Sequence, residues 1–146
     1  KSEGLCDDGE GELSDAASVL DWLQQYNTNS KVVWVAGFSF GAWVAMQLLM
    51  RRPEINNFIS VSPPANTRDF SFLAPCPSTG LIVHGDKDTI TSFDSTKILS
   101  EKLQKQKKVN IHFKSIKGAD HFYENFTDQF SSIIDNYIKD SLADLK

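Results

Sequence analysis

The chain has 146 residues, with 15 basic and 19 acidic side chains, a net charge of −4 and 40% hydrophobic residues. That length and composition describe one ordinary globular domain over residues 1–146. They exclude a disordered chain, which needs lower hydrophobicity and higher net charge, and they leave no basic footprint for nucleic acid.

Residues 1–12 are Gly-rich and acidic and read as a loop. Leu13, Ala16, Ala17, Leu20 and Leu23 then recur at helical spacing. Acidic residues crowd the first turn of that helix, where its dipole favours them, and residues 27–30 end it with turn chemistry. The stretch from Lys31 to Ala36 reads Lys-Val-Val-Trp-Val-Ala. It is apolar at every position after the Lys, which predicts a parallel strand covered on both faces. Residues 41–52 are apolar nearly all round, as a buried helix is, and Pro53 stops them. Residues 58–61 are a second strand. Residues 62–79 are rich in Pro and Ser and read as loop, with one helical turn near 70–73. Residues 81–83 are a third strand, ending at His84-Gly85. An amphipathic helix over 93–105 places Ile98, Leu99 and Leu103 on one face. Residues 109–116 alternate as a fourth strand, and a closing helix over 122–142 turns Phe126, Phe130, Ile133, Ile134, Tyr137 and Ile138 inward. Strands alternate with helices throughout, so the fold class is α/β: three layers, α/β/α, with a mainly parallel sheet of about four strands.

No apolar run approaches the roughly 18 residues of a membrane helix, so no membrane contact is expected. Two cysteines, Cys6 and Cys76, make no disulfide framework. They read as free thiols in a reducing compartment, hence a cytoplasmic protein. The clustered Lys102, Lys105, Lys107 and Lys108 read as a solvated helix end.

Gly37-Phe38-Ser39-Phe40-Gly41 is the sharpest feature. Such a pentapeptide recurs by chance in about one chain in twenty of this length, so its placement carries the argument. It sits where a strand gives way to a helix, the context of a nucleophile elbow. A sharp strand-to-helix turn strains the central residue. The residues two before and two after it must then be small. The helix N-terminus aims free N–H groups at Ser39, and the Phe40 N–H becomes an oxyanion donor. A nucleophilic Ser needs a base, and the base needs an orienting acid. The chain order Ser, Asp or Glu, His is met after the third and fourth strands, in His84-Gly85-Asp86-Lys87-Asp88 and Gly118-Ala119-Asp120-His121. Both loops fall on the carboxyl side of a parallel sheet, where open α/β proteins place their sites. His121 is the candidate base. His112 reads as an exposed strand residue and His84 as turn packing. Asp86 and Asp88 both remain candidates for the acid, whereas Asp120 adjoins His121 and adjacent side chains point apart. No metal site follows from Asp86-x-Asp88, because no Gly or Glu follows at calcium-loop spacing, and no cofactor motif is present.

These three motifs, in this order, resemble the α/β-hydrolase superfamily over nearly the whole chain. The resemblance is greatest to small bacterial hydrolases related to dienelactone hydrolases and acyl thioesterases. Lys1-Ser-Glu-Gly4 and residues 9–15 are similar to the loop and helix start after the fourth strand of that group. The resemblance implies a nucleophile at Ser39, a general base at His121 and an orienting acid at Asp88, the last residue of the His-Gly-x-x-Asp loop. Asp86 then shapes the loop through nearby backbone N–H groups. It also implies that the chain holds the fifth to eighth strands of a single hydrolase domain and lacks the strands before them. The strand from Lys31 to Ala36 would then be an exposed apolar edge that invites pairing into a homo-oligomer. The second oxyanion donor, normally from the loop after the third strand, would lie upstream.

The expected function is hydrolysis of carboxylic esters or thioesters through an acyl-enzyme. An oligopeptidase-like peptidase uses the same elbow but carries a separate domain that limits substrate size, and amides need stronger oxyanion stabilisation. An inert binding module on the same scaffold would have no physical reason to keep all three triad residues. The short 62–79 stretch leaves no room for a large lid, so the site is expected to be open, with Phe38, Phe40, Pro63, Pro64 and Phe72 lining an acyl pocket or packing in the core.

Overall fold

A computed structural model describes residues 3–144. Lys1 and Ser2, part of the stretch used in the resemblance, lie outside them. The elements run α1 (Glu10–Tyr26), β1 (Trp34–Phe38), α2 (Phe40–Arg51), β2 (Asn57–Val61), a 3-10 turn (Ser71–Leu73), β3 (Thr79–Gly85), α3 (Phe93–Gln104), β4 (Ile111–Ile116) and α4 (Thr127–Ala143). The strands form one sheet in the order β1-β2-β3-β4, and every neighbouring pair is parallel. The expected α/β class and strand number hold.

Alternation along the two central strands divides the core. Phe58 of β2 and Ile82 of β3 turn to one face, where α1, α2 and α3 contribute Leu13, Leu49 and Leu103. Ile59, Val61, Leu81 and Val83 turn to the other, against Tyr137 of α4. Phe58 and Leu81 are fully buried, and burial of a side chain of that kind stabilises a fold by about 1.5–3 kcal/mol.

Several elements differ from the sequence reading. The first strand is Trp34–Phe38, later than expected, and it is half-buried with Ala36 and Phe38 exposed. Its outer edge pairs with no strand among the described residues. The strands buried at nearly every position are β2 and β3. Leu23 and Ile98, both expected on buried faces, are exposed, Ile98 to 67%. Together with Val19, Trp22 and Tyr26, Leu23 gives α1 an exposed apolar flank. The last helix starts at Thr127 rather than 122. Tyr123 and Asn125 take left-handed backbone (φ 58° and 64°), which a right-handed helix cannot accommodate. His112 is half-buried and meets Tyr137 edge-on at 5.4 Å. Cys6 and Cys76 are both free. Among the described residues, no helix is long and apolar enough to cross a membrane.

Candidate active site

The register places the site. Phe38 pairs with Val61, Val61 with Val83, and Gly85 with Ile116. The carboxyl ends of the four strands therefore share one edge, and Ser39, His84, Asp88 and His121 follow from those ends or the turns just beyond. Ser39 continues the ladder by donating its N–H to the Val61 carbonyl at 2.8 Å. It then turns sharply, with φ 52° and ψ −123°. Such a conformation costs a non-Gly residue about 1–3 kcal/mol and persists only where the surroundings hold it. Its side chain does not cap α2.

The small-residue requirement falls on one side of the elbow only. A Cβ on Gly37 would come within 2.3 Å of the Gly41 carbonyl oxygen, whereas a Cβ on Gly41 would meet nothing within 4 Å. The expectation that both flanking residues must be small is thus met at Gly37 and corrected at Gly41. Phe40 opens α2. Its N–H is one of the amides that a helix leaves without a carbonyl partner.

The two carboxylates of the third loop do different work. Asp86 accepts the Gly118 N–H at 2.6 Å and ties the β3 loop to the turn after β4. Asp88 is buried and receives His121 Nδ1 at Oδ2, at 2.7 Å. Its Oδ1 accepts the Ile90 and Thr91 N–H groups, each at 2.8 Å, and Oδ2 also accepts the Thr91 hydroxyl at 2.8 Å. Burial by itself would raise the Asp88 carboxyl, but these donors, the Thr91 N–H foremost, outweigh it and hold the group below its ordinary value. Asp120 points elsewhere, accepting the Glu124 N–H at 3.1 Å.

His121 is buried and its ring lies 4.8 Å from that of Phe38, the residue before Ser39. Phe122 closes on the same ring edge-on at 5.1 Å. The imidazole is therefore brought beside the elbow, while the hydrogen bonds it makes are those of Nδ1, to Asp88 and, longer, to the Thr91 hydroxyl. No hydrogen bond joins it to Ser39 among the described residues. Such contacts are often long in an unliganded site and tighten with substrate.

The residues considered for an acyl pocket separate. Phe40 and Phe72 pack against the larger core and Pro63 is fully buried, while Phe38 is 42% exposed at the site. Of the grooves that lie away from Ser39, two lie against the sheet. One of about 240 Å³ runs between α1 and β1, past Leu20 and Val33. The other, about 330 Å³, runs between β4 and α4, past His112 and Asp140. Four residues around the site were not legible in the sequence as such. Thr91 is reached through the Asx turn that begins at Asp88, a spacing that could have signalled it. Ser62 and Tyr123 meet through their hydroxyls at 2.7 Å beneath the site. His84, expected in turn packing, instead lies fully buried with Nε2 3.2 Å from Asp88 Oδ2.

The model of the dienelactone hydrolase family matches residues 5–143. The chain is 52% identical over 141 residues to the uncharacterized protein RP471 of Rickettsia prowazekii, covering 94% of this chain and 59% of that one. The crystal structure of ATU1826 from Agrobacterium tumefaciens, a protein of unknown function assigned to the alpha/beta hydrolases, superposes with a TM-score of 0.95 at 50% identity. It covers 98% of this chain, which spans 66% of that one. XC6422 from Xanthomonas campestris, described as a serine hydrolase without lid, gives a TM-score of 0.84 at 27% identity over 95% of this chain and 61% of its own. The chain thus spans about three fifths to two thirds of the length of these relatives.

Proposed function

Because the chain belongs to the dienelactone hydrolase family, we propose that it is a serine hydrolase of carboxylic esters or thioesters, working through Ser39, His121 and Asp88. The observation that carries this reading is the 2.7 Å bond between His121 Nδ1 and buried Asp88, placed beside a strained Ser at a strand-to-helix turn. Ser39 Oγ attacks the acyl carbonyl while His121 Nε2 takes its proton. The new oxyanion is met by the Phe40 N–H at the positive end of α2, and one such donor is worth about 10² to 10³ in rate. Collapse breaks the bond to the alcohol or thiol, which leaves with the proton returned by His121. Water then attacks the acyl-Ser39, giving its proton to His121; collapse breaks the bond to Ser39 Oγ, which takes that proton back from His121 as the acid departs. Throughout, Asp88 fixes the Nδ1–H tautomer and stabilises the imidazolium. Exposed Phe38 and Phe122 flank His121 and supply apolar surface for part of the substrate.

The test compares the chain with Ser39→Ala on short-chain acyl esters, acyl thioesters and peptide amides. Ester or thioester turnover that vanishes in Ser39→Ala is the expected result. Turnover of peptide amides instead would favour the peptidase reading. Binding of acyl compounds with no Ser39-dependent turnover would favour an inert module.

A further inference from the structure

His84 has a role that the triad reading alone does not give it. It stands at the end of β3, fully buried, with the Phe93 ring edge-on at 5.9 Å. Its Nδ1 has no hydrogen-bond partner among the described residues. Its Nε2 lies 3.2 Å from Asp88 Oδ2, 3.3 Å from the Thr91 hydroxyl and 3.4 Å from the Thr91 carbonyl. The Thr91 proton is committed to Asp88 at 2.8 Å.

A neutral imidazole carries one N–H. Placed on Nδ1, that N–H would be a buried donor with no acceptor, and the Nε2 lone pair would face a carboxylate. Placed on Nε2, it has the Thr91 carbonyl as acceptor at 3.4 Å with Asp88 Oδ2 beside it at 3.2 Å, and leaves only a lone pair unpaired. The second arrangement avoids the cost of a stranded donor, about 1–3 kcal/mol. The imidazolium form would strand the same Nδ1–H and add a buried charge, and burial accordingly pushes the His84 pKa down despite the Asp88 charge.

Resting on the triad reading, we infer that His84 is a positioning residue of the hydrolase: as the Nε2–H tautomer, anchored on the Thr91 carbonyl, it sets its N–H against Asp88 Oδ2, the same oxygen that receives His121 Nδ1–H. Oδ2 then has two hydrogen-bond donors, from His121 and Thr91, and the His84 N–H 3.2 Å away. They share its charge and hold the carboxylate plane between β3 and the turn after β4. Without the His84 N–H the carboxylate is more basic and holds the proton on the His121 imidazolium more firmly. The other titratable groups turned to this centre are Tyr123, which feels the charges of Asp88 and Asp120, and His121 itself.

Two measurements on the 146-residue chain decide it. In the first, the rate of covalent labelling by a fluorophosphonate is followed against pH in wild type, His84→Leu and His84→Gln. Leu removes the donor, whereas Gln can keep an N–H near Nε2. The acid limb is expected to move up by about half a unit in His84→Leu, a threefold loss of rate on that limb, and to return in His84→Gln. Superimposable profiles in the three folded proteins would overturn the inference. A merely structural role would lower the unfolding temperature without moving the limb. In the second, long-range proton–nitrogen correlation reads the His84 tautomer in the wild type at pH 7, the premise of the inference, and does so even where the variants do not fold. Nε2–H is expected, and Nδ1–H or an imidazolium would overturn the inference. Absence of labelling in the wild type would strike the Ser39 reading instead, leaving the tautomer to be judged separately.

Discussion

Asp86 and Asp88 stand two residues apart in one loop, yet one bonds a backbone N–H across to Gly118 and the other bonds His121. Their substitution to Asn separates the roles. Asp88→Asn is expected to lower ester turnover by about 10⁴, because an amide holds the wrong imidazole tautomer. Asp86→Asn keeps an acceptor for Gly118 and is expected to stay within a few-fold of wild type. Steady-state kinetics on both variants checks the pair, and the reverse order would exchange their assignments. Ser39 and His121 stood out as candidates because their motifs follow one another at strand ends, whereas the residues alone left Asp86 and Asp88 both open and only the resemblance singled out Asp88, the one the structure brings to His121. His84 did not stand out. Nothing in a sequence says that a ring at a strand end turns inward, to set its Nε2 against the Thr91 carbonyl and Asp88 Oδ2.

At the scale of the element, the elbow depends on the close approach of β1 and α2. A methyl at Gly37 would meet the Gly41 carbonyl, a backbone atom that cannot swing aside. Gly37→Ala is therefore expected to destabilise the fold by about 1–3 kcal/mol or more, read by thermal unfolding. Gly41→Ala meets open space in the first turn of α2, so it is expected to be neutral or to stabilise by up to about 1 kcal/mol. Equal losses in the two variants would contradict this geometry. The same scale explains what periodicity missed. Helical spacing put Ile98 on a buried face, but α3 meets the sheet through Leu103 and leaves Ile98 in solvent. The apolar run of Phe126, Phe130 and Ile133 read as one helix back to 122, although left-handed Tyr123 and Asn125 delay its start to Thr127.

For the whole molecule, the buried titratable groups set the pH range of stability. Burial raises the Tyr123 hydroxyl to about 12, against 10 for a free tyrosine. The unfolded chain therefore loses this proton first. The stability that Tyr123 contributes is complete below pH 10 and falls away towards pH 12, by roughly 2 kcal/mol. Tyr123→Phe should flatten that alkaline slope in denaturant titrations. His84 acts on the acid side. Its pKa lies below 6.5 in the folded protein, so its contribution is present above pH 6.5 and is lost as the pH falls through the lowered folded value. In amide exchange, the β2 and β3 amides, inside the sheet and almost wholly buried, are expected to be the slowest. Those on the outer edge of β1 are expected to exchange faster, since no strand pairs there among the described residues. The α/β class and strand sequence were legible from the alternation of apolar runs. The half-exposed state of β1 was not legible in its composition, which matches that of a strand covered on both faces; only the resemblance implied an exposed edge there.

Covalent labelling by a fluorophosphonate, read by intact mass on the chain and on Ser39→Ala, tests the central claim most directly. A strained Ser beside an Asp-held imidazole predicts one adduct per chain, absent in Ser39→Ala and slowed in Asp88→Asn. A folded wild-type chain that takes no adduct, or that takes it equally in Ser39→Ala, would contradict the assignment of Ser39 as an activated nucleophile.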